Sequence, residues 1–122
     1  MAARTQDHAP ESFLPLKPAV FHALLALGRG ERHGYALLKE IHERSGGVVS
    51  LMPAALYRYL SRMLDDGLIE ESDRRPARTN DDERRRYYRL SPLGRRVIDA
   101  EYRRLEQVLA WAKRDLRPAP AR

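Results

Sequence analysis

The sequence predicts a mainly helical domain with one small β-hairpin and a long terminal helix. Three observations predict it. Apolar residues recur at helical spacing in three short stretches separated by glycines. Residues 68–72 and 86–90 then read as strands on either side of a charged, proline-containing loop. A fourth helical pattern opens at Ser91-Pro92 and continues to Leu116.

The first helix is expected over residues 16–27, with Pro18 near its start. Val20, Ala23, Leu24 and Leu27 form its apolar stripe, and Gly28 and Gly30 end it. The second is expected over residues 34–45. Tyr35, Leu38 and Ile41 face one way with Leu37 beside them, and Gly46-Gly47 stops it. Residues 48–51 make a short extended link into the third.

That third helix, within residues 52–67, has two different faces. Pro53 suits a first helical position, where its missing N–H has no intrahelical partner anyway. Gly67 suits the left-handed residue that closes a helix. Leu56, Leu60, Met63 and Leu64 form the apolar back. Tyr57, Arg58, Ser61 and Arg62 form the front, with Ala54 and Ala55 at its start. Three short helices in succession are the layout of a helix-turn-helix, whose last helix reads the DNA major groove. Taken alone, such a front is more often a solvated surface.

Charge placement reverses that balance. The 122-residue chain carries 23 Lys plus Arg against 17 Asp plus Glu, a net +6, and only Lys17, Lys39 and Lys113 are lysine. Genomic base composition can also enrich arginine, so position must decide. Arg74, Arg75, Arg78, Arg84, Arg85, Arg86 and Arg89 stand against Asp81, Asp82 and Glu83, so the hairpin nets +4. The acids at its tip fit a self-neutralising loop in part. The excess beside the third helix fits a phosphate or minor-groove clamp, a wing.

Ser91 and Pro92 are a cap and a first helical residue. Ile98, Tyr102, Leu105, Leu109, Ala112 and Leu116 are then spaced four, three, four, three, four, a heptad seam with Val97, Val108 and Trp111 beside it. The expected division is a flexible tail over 1–12, a DNA-binding head over 13–90, a dimerisation helix over 91–116 and a second tail over 117–122.

At this point the sequence resembles the PadR family of bacterial transcriptional regulators. The resemblance rests on His33-Gly34-Tyr35, on Leu56-Tyr57 with Leu60 and Arg62, on Gly67-Leu68-Ile69, and on Tyr88-Arg89-Leu90-Ser91 leading into Gly94-Arg95. It covers about residues 16–96 and implies a winged helix-turn-helix, a homodimer made largely by the last helix, and repression of nearby genes. The single C-terminal helix is similar to the short form. Where members often carry Ser-Pro-Gly-Thr before Leu-Tyr, this chain has Met52-Pro53-Ala54-Ala55. Two hydroxyls that could cap the helix or bind phosphate are absent.

Enzyme chemistry is not expected. His8, His22, His33 and His42 form no metal-ligand pair, the acids sit at a helix end and on a loop, and there is no Gly-rich phosphate loop. No metal or cofactor is expected. The absence of Cys, of a signal-like apolar core and of a run of about 20 apolar residues points to a cytoplasmic protein without a membrane partner.

The expected function is therefore a sequence-specific DNA-binding regulator. It is read as a repressor acting as a homodimer on a palindromic operator. A winged-helix module that binds protein instead is the alternative. Arg58 and Arg62 are the candidates for guanine edges, and Tyr57 and Ser61 for phosphate or thymine methyl. Some family members bind flat aromatic compounds through a Trp at the dimer interface. Here Trp111 is the only Trp, and packing is the reading preferred to ligand contact. An effector is left open.

Overall fold

The computed structural model describes residues 9–72 and 86–118. A 3-10 turn, Pro10–Phe13, leads into α1 Pro18–Gly28, β1 Arg32–His33, α2 Gly34–Arg44 and α3 Pro53–Asp65. Then follow β2 Ile69–Glu71, β3 Tyr87–Leu90 and α4 Pro92–Asp115. The four helices stand where the apolar spacing puts them, and the hairpin strands flank the arginine-rich loop.

The core is built from one stripe of each helix. Leu24 and Leu27 of α1 meet Leu37 and Ile41 of α2, and Leu56, Leu60 and Met63 of α3. Leu68, Ile69 and Tyr88 close it from the sheet, Val97 and Ile98 from α4. In α2 the stripe departs from expectation at its first position alone, since Leu37 and Ile41 are buried and Leu38 packs against the core. Gly34, Leu37 and Ile41 are buried, while Tyr35 in the first turn is exposed.

The sheet has three strands, in the order β1-β3-β2. Both pairings are antiparallel, with Ile69 opposite Leu90, Glu70 opposite Arg89, and Arg32 opposite Tyr88. Strand β1 escaped the sequence reading because two residues cannot display an alternation. Its pairing ties the entry of α2 to the hairpin.

The N-terminal tail expected over residues 1–12 needs correction at its end. Pro10–Phe13 is a 3-10 turn, and the turn packs on α4. The chain is held there by a buried acid of α4. Glu101 is 2% exposed, and its carboxylate accepts the Leu16 N–H at 2.9 Å and an Arg104 N–H at 3.0 Å.

Candidate nucleic-acid interface

Helix α3 is positioned at both ends by backbone geometry. Met52, standing where a hydroxyl would cap, makes no side-chain hydrogen bond to the first turn of α3. Its end is closed by paired bonds, Gly67 N–H to the Leu64 carbonyl and Leu68 N–H to the Met63 carbonyl. Gly67 supplies the positive φ of 79° that this closure requires. Ser91 then ties α4 to the same corner. Its Oγ donates to the Gly67 carbonyl at 2.6 Å and accepts the Gly94 N–H at 2.9 Å, which caps α4.

With Leu56, Leu60 and Met63 buried, the front of α3 faces out. Ala54, Arg58, Ser61 and Arg62 are exposed, and Ala55 is half-buried. The Arg62 side chain is 79% exposed and lies 3.6 Å from Asp66, one turn on. Such a surface pair contributes little and is readily exchanged for a stronger acceptor.

Tyr57 is placed differently from the others. It is 40% exposed, and its ring lies over Gly34 at the start of α2. A Cβ on Gly34 would meet the Tyr57 hydroxyl at 2.6 Å. The His33-Gly34-Tyr35 motif thus has a packing reason, since the glycine makes room for the tyrosine of α3. His33 caps α2 from the other side, its Nδ1 accepting the Ala36 N–H at 3.1 Å, with its ring edge-on to Tyr87.

Of the wing arginines, Arg86 is described, and it is exposed; Arg74, Arg75, Arg78, Arg84 and Arg85 lie outside the described residues. At the base of the hairpin the cations are partnered. Arg86 reaches Glu71 at 3.1 Å and Arg89 reaches Glu70 across the ladder at 3.1 Å. Behind them the Ser72 hydroxyl donates to Glu31 at 2.7 Å.

The six seam residues of α4 fall into two groups. Ile98 is 5% exposed and is covered by the core of its own chain. Leu105 and Ala112 are half-buried, and Tyr102, Leu109 and Leu116 are exposed. The face that α4 presents to the head is Gly94, Val97, Ile98 and Glu101. Beyond it the helix carries Val108, Leu109, Trp111 and Leu116 into solvent, with Trp111 49% exposed.

Sequence reasoning missed Glu101. The available signal was an acid at i+3 and i+4 from the apolar pair Ile98 and Val97, with an arginine three residues on. Hydrogen bonding by Arg104 holds its carboxyl below the ordinary carboxylate value, against the opposing effect of burial. Among the described residues no group of three or more His, Asp or Glu could hold a metal ion. Nor is any described helix long and apolar enough to cross a membrane.

The fold is shared with solved regulators. A PadR-like transcriptional regulator from Bacillus cereus is similar at 20% identity, with a TM-score of 0.66 over 82% of this chain and 92% of its own. A transcriptional regulator from Clostridium thermocellum is 21% identical, with a TM-score of 0.62 over 79% of this chain and 87% of its own. RosR from H. salinarum is 28% identical, with a TM-score of 0.59 over 80% and 78% of the two chains. No curated protein matches the sequence. Residues 23–100, from the core of α1 through the sheet to the first half of α4, match the transcriptional regulator PadR-like family, and the chain belongs to that family.

Proposed function

We propose that this protein regulates transcription by binding duplex DNA as a homodimer, reading bases with α3 and gripping phosphates with the arginine-rich hairpin. The observation that carries this is the two-sided character of α3. Its apolar residues are spent in the core, which leaves Ala54, Ala55, Arg58, Ser61 and Arg62 along one outward edge. Guanidiniums there can make bidentate contacts to guanine. Tyr57, braced on Gly34, offers a hydroxyl for a phosphate. Arg74, Arg75, Arg78, Arg84, Arg85 and Arg86 supply sequence-independent affinity. Two such heads on paired α4 helices would meet a palindromic operator, and occupancy of a promoter would repress. The loss of the usual hydroxyls before α3 shifts phosphate gripping toward the hairpin.

Salt dependence tests the reading. With six or more phosphates neutralised, affinity for duplex DNA falls roughly 10³-fold between about 50 and about 200 mM salt. Anisotropy of a labelled promoter fragment, titrated at several salt concentrations, measures it. Affinity that stays flat would rule out phosphate contact and favour a protein-binding winged helix.

A further inference from the structure

The N-terminal tip of α3 is apolar, whereas the outward edge beyond it is cationic. Met52, Pro53 and Ala54 are exposed in succession, Met52 at 74%. Ala54 stands one turn before Arg58, on the edge that Ser61 and Arg62 continue. From Met52 to Leu56 no side chain carries a hydrogen-bond donor. The backbone is fixed there, since the Met52 carbonyl accepts the N–H of the buried Leu56 at 3.1 Å. Met52 is also the N-cap of α3 and makes no side-chain bond to it. Ser, Thr, Asp or Asn in that position would accept an N–H of the first turn and stabilise the helix. The chain forgoes that bond and instead holds in water a flexible, polarisable thioether that packs readily on apolar groups. A lone exposed apolar residue is ordinary on most of a surface. This one ends a helix whose N-terminal residues meet base edges in a helix-turn-helix.

We propose that Met52 reads the C5-methyl of a pyrimidine in the major groove, thymine in unmodified DNA, and so selects a T·A pair in each half-site. This assignment rests on α3 being the reading helix. Base edges in the major groove present donors, acceptors and one apolar group, the thymine methyl. A tip whose side chains lack donors gains nothing from the acceptors of guanine or adenine, and it gains from covering that methyl. Work along α3 is thereby divided. Arg58 and Arg62 suit guanine edges, and Met52, with the small Ala54 beside it, suits thymine.

Uracil lacks only that methyl, so duplexes with uracil in place of thymine isolate it. A preferred duplex is selected from random DNA with the full chain. Each thymine is then replaced in turn by uracil, and anisotropy measures the affinity. One thymine per half-site should cost about fourfold when replaced, the effect of one buried methyl-sized group, and about 15-fold when both halves are changed. Met52→Ser and Met52→Ala should bind the thymine and uracil duplexes alike. Met52→Leu, still apolar, should keep the discrimination. Met52→Ser should meanwhile raise the unfolding temperature by about 4 °C, because it supplies a cap. A firmer fold with lost methyl reading separates recognition from stability.

The proposal is overturned if uracil is tolerated at every thymine of the preferred site. It is equally overturned if Met52→Ser and Met52→Ala discriminate as wild type does, since Tyr57 or Ser61 would then hold the methyl. A gain from 5-methylcytosine over cytosine, with thymine and uracil bound alike, overturns the assignment to thymine. Steeply salt-dependent binding that ignores the methyl removes this proposal and leaves α3 and the hairpin as DNA contacts. If the chain binds no duplex DNA, the reading of α3 falls and takes the proposal with it.

Discussion

Single residues divide here into those whose neighbours can yield and those whose neighbours cannot. A Cβ on Gly94 would lie 2.0 Å from the Leu68 carbonyl oxygen, a backbone atom fixed by its own bond from Ser91 N–H. Gly94→Ala is therefore expected to destabilise the fold by about 1–3 kcal/mol, as overpacking does, and thermal unfolding measures it. The glycine at position 34 meets the far end of Tyr57, which can swing aside, so Gly34→Ala should cost less stability and appear as weaker DNA binding. Glu101 makes a different kind of claim. Its carboxyl is held below the ordinary value of 4.5 by Arg104 and, less strongly, by the Leu16 N–H. A depressed folded value means that this group's contribution is fully present above the unfolded pKa. It is lost as pH falls through the folded one. Wild type should thus lose stability below about pH 4.5, and Glu101→Gln, less stable at neutral pH, should lose less over the same interval. Denaturant titrations from neutral to acid pH check this, and parallel curves for the two proteins would refute it.

Among the elements, α3 and the hairpin are expected to fail differently. Arg62→Ala should cost about 1–3 kcal/mol on a preferred site and less on random DNA, because a base contact carries sequence information. Replacing Arg84, Arg85 and Arg86 together by Ala should weaken all DNA alike and make the salt slope shallower. Binding to specific and random fragments across salt separates the two, and an equal loss for Arg62→Ala on both would move it to the phosphate class. Arg86 will contribute least of the three if its pairing with Glu71 persists on DNA. These elements were legible for physical reasons. The buried residues of α1 and α3 repeat at 3.6, and Ser91, Pro92 and Gly67 carry helix boundaries in their own stereochemistry. What was illegible depends on distant partners. Strand β1 exists through its pairing with β3, the burial of Gly34 in place of Tyr35 through the Tyr57 ring packed over it, and the burial of Glu101 through the Leu16 N–H that it accepts, 85 residues away. The Gly34–Tyr57 contact was visible as two motif fragments, but their meeting needed the packing of α2 on α3.

For the whole molecule, the outer half of α4 is the feature that a single chain does not explain. The helix is about 36 Å long, and its core-facing residues stop at Glu101. Past that point Tyr102, Val108, Leu109, Trp111 and Leu116 are exposed, with Leu109 at 54%. Apolar surface left in water is unfavourable at about 25 cal/mol per Å². Pairing with a second copy about a two-fold axis would remove much of it, which is the commonest arrangement for such a chain. Ile98 has no part in this, since its own core already covers it. The candidate interface is Tyr102, Leu105, Leu109, Ala112 and Leu116. A two-fold pair would set two α3 helices about 34 Å apart, one turn of DNA, and linked half-sites would gain affinity through effective concentration. Leu105→Asp with Leu109→Asp would place charges in that interface without touching the head core, to which neither residue belongs. The double variant is expected to be a folded monomer with much weaker operator binding, read by sedimentation and anisotropy on the same sample. A variant that remains dimeric would show that α4 is not the interface. A folded monomer that holds the operator as tightly as wild type would show that pairing is not what makes this protein a regulator.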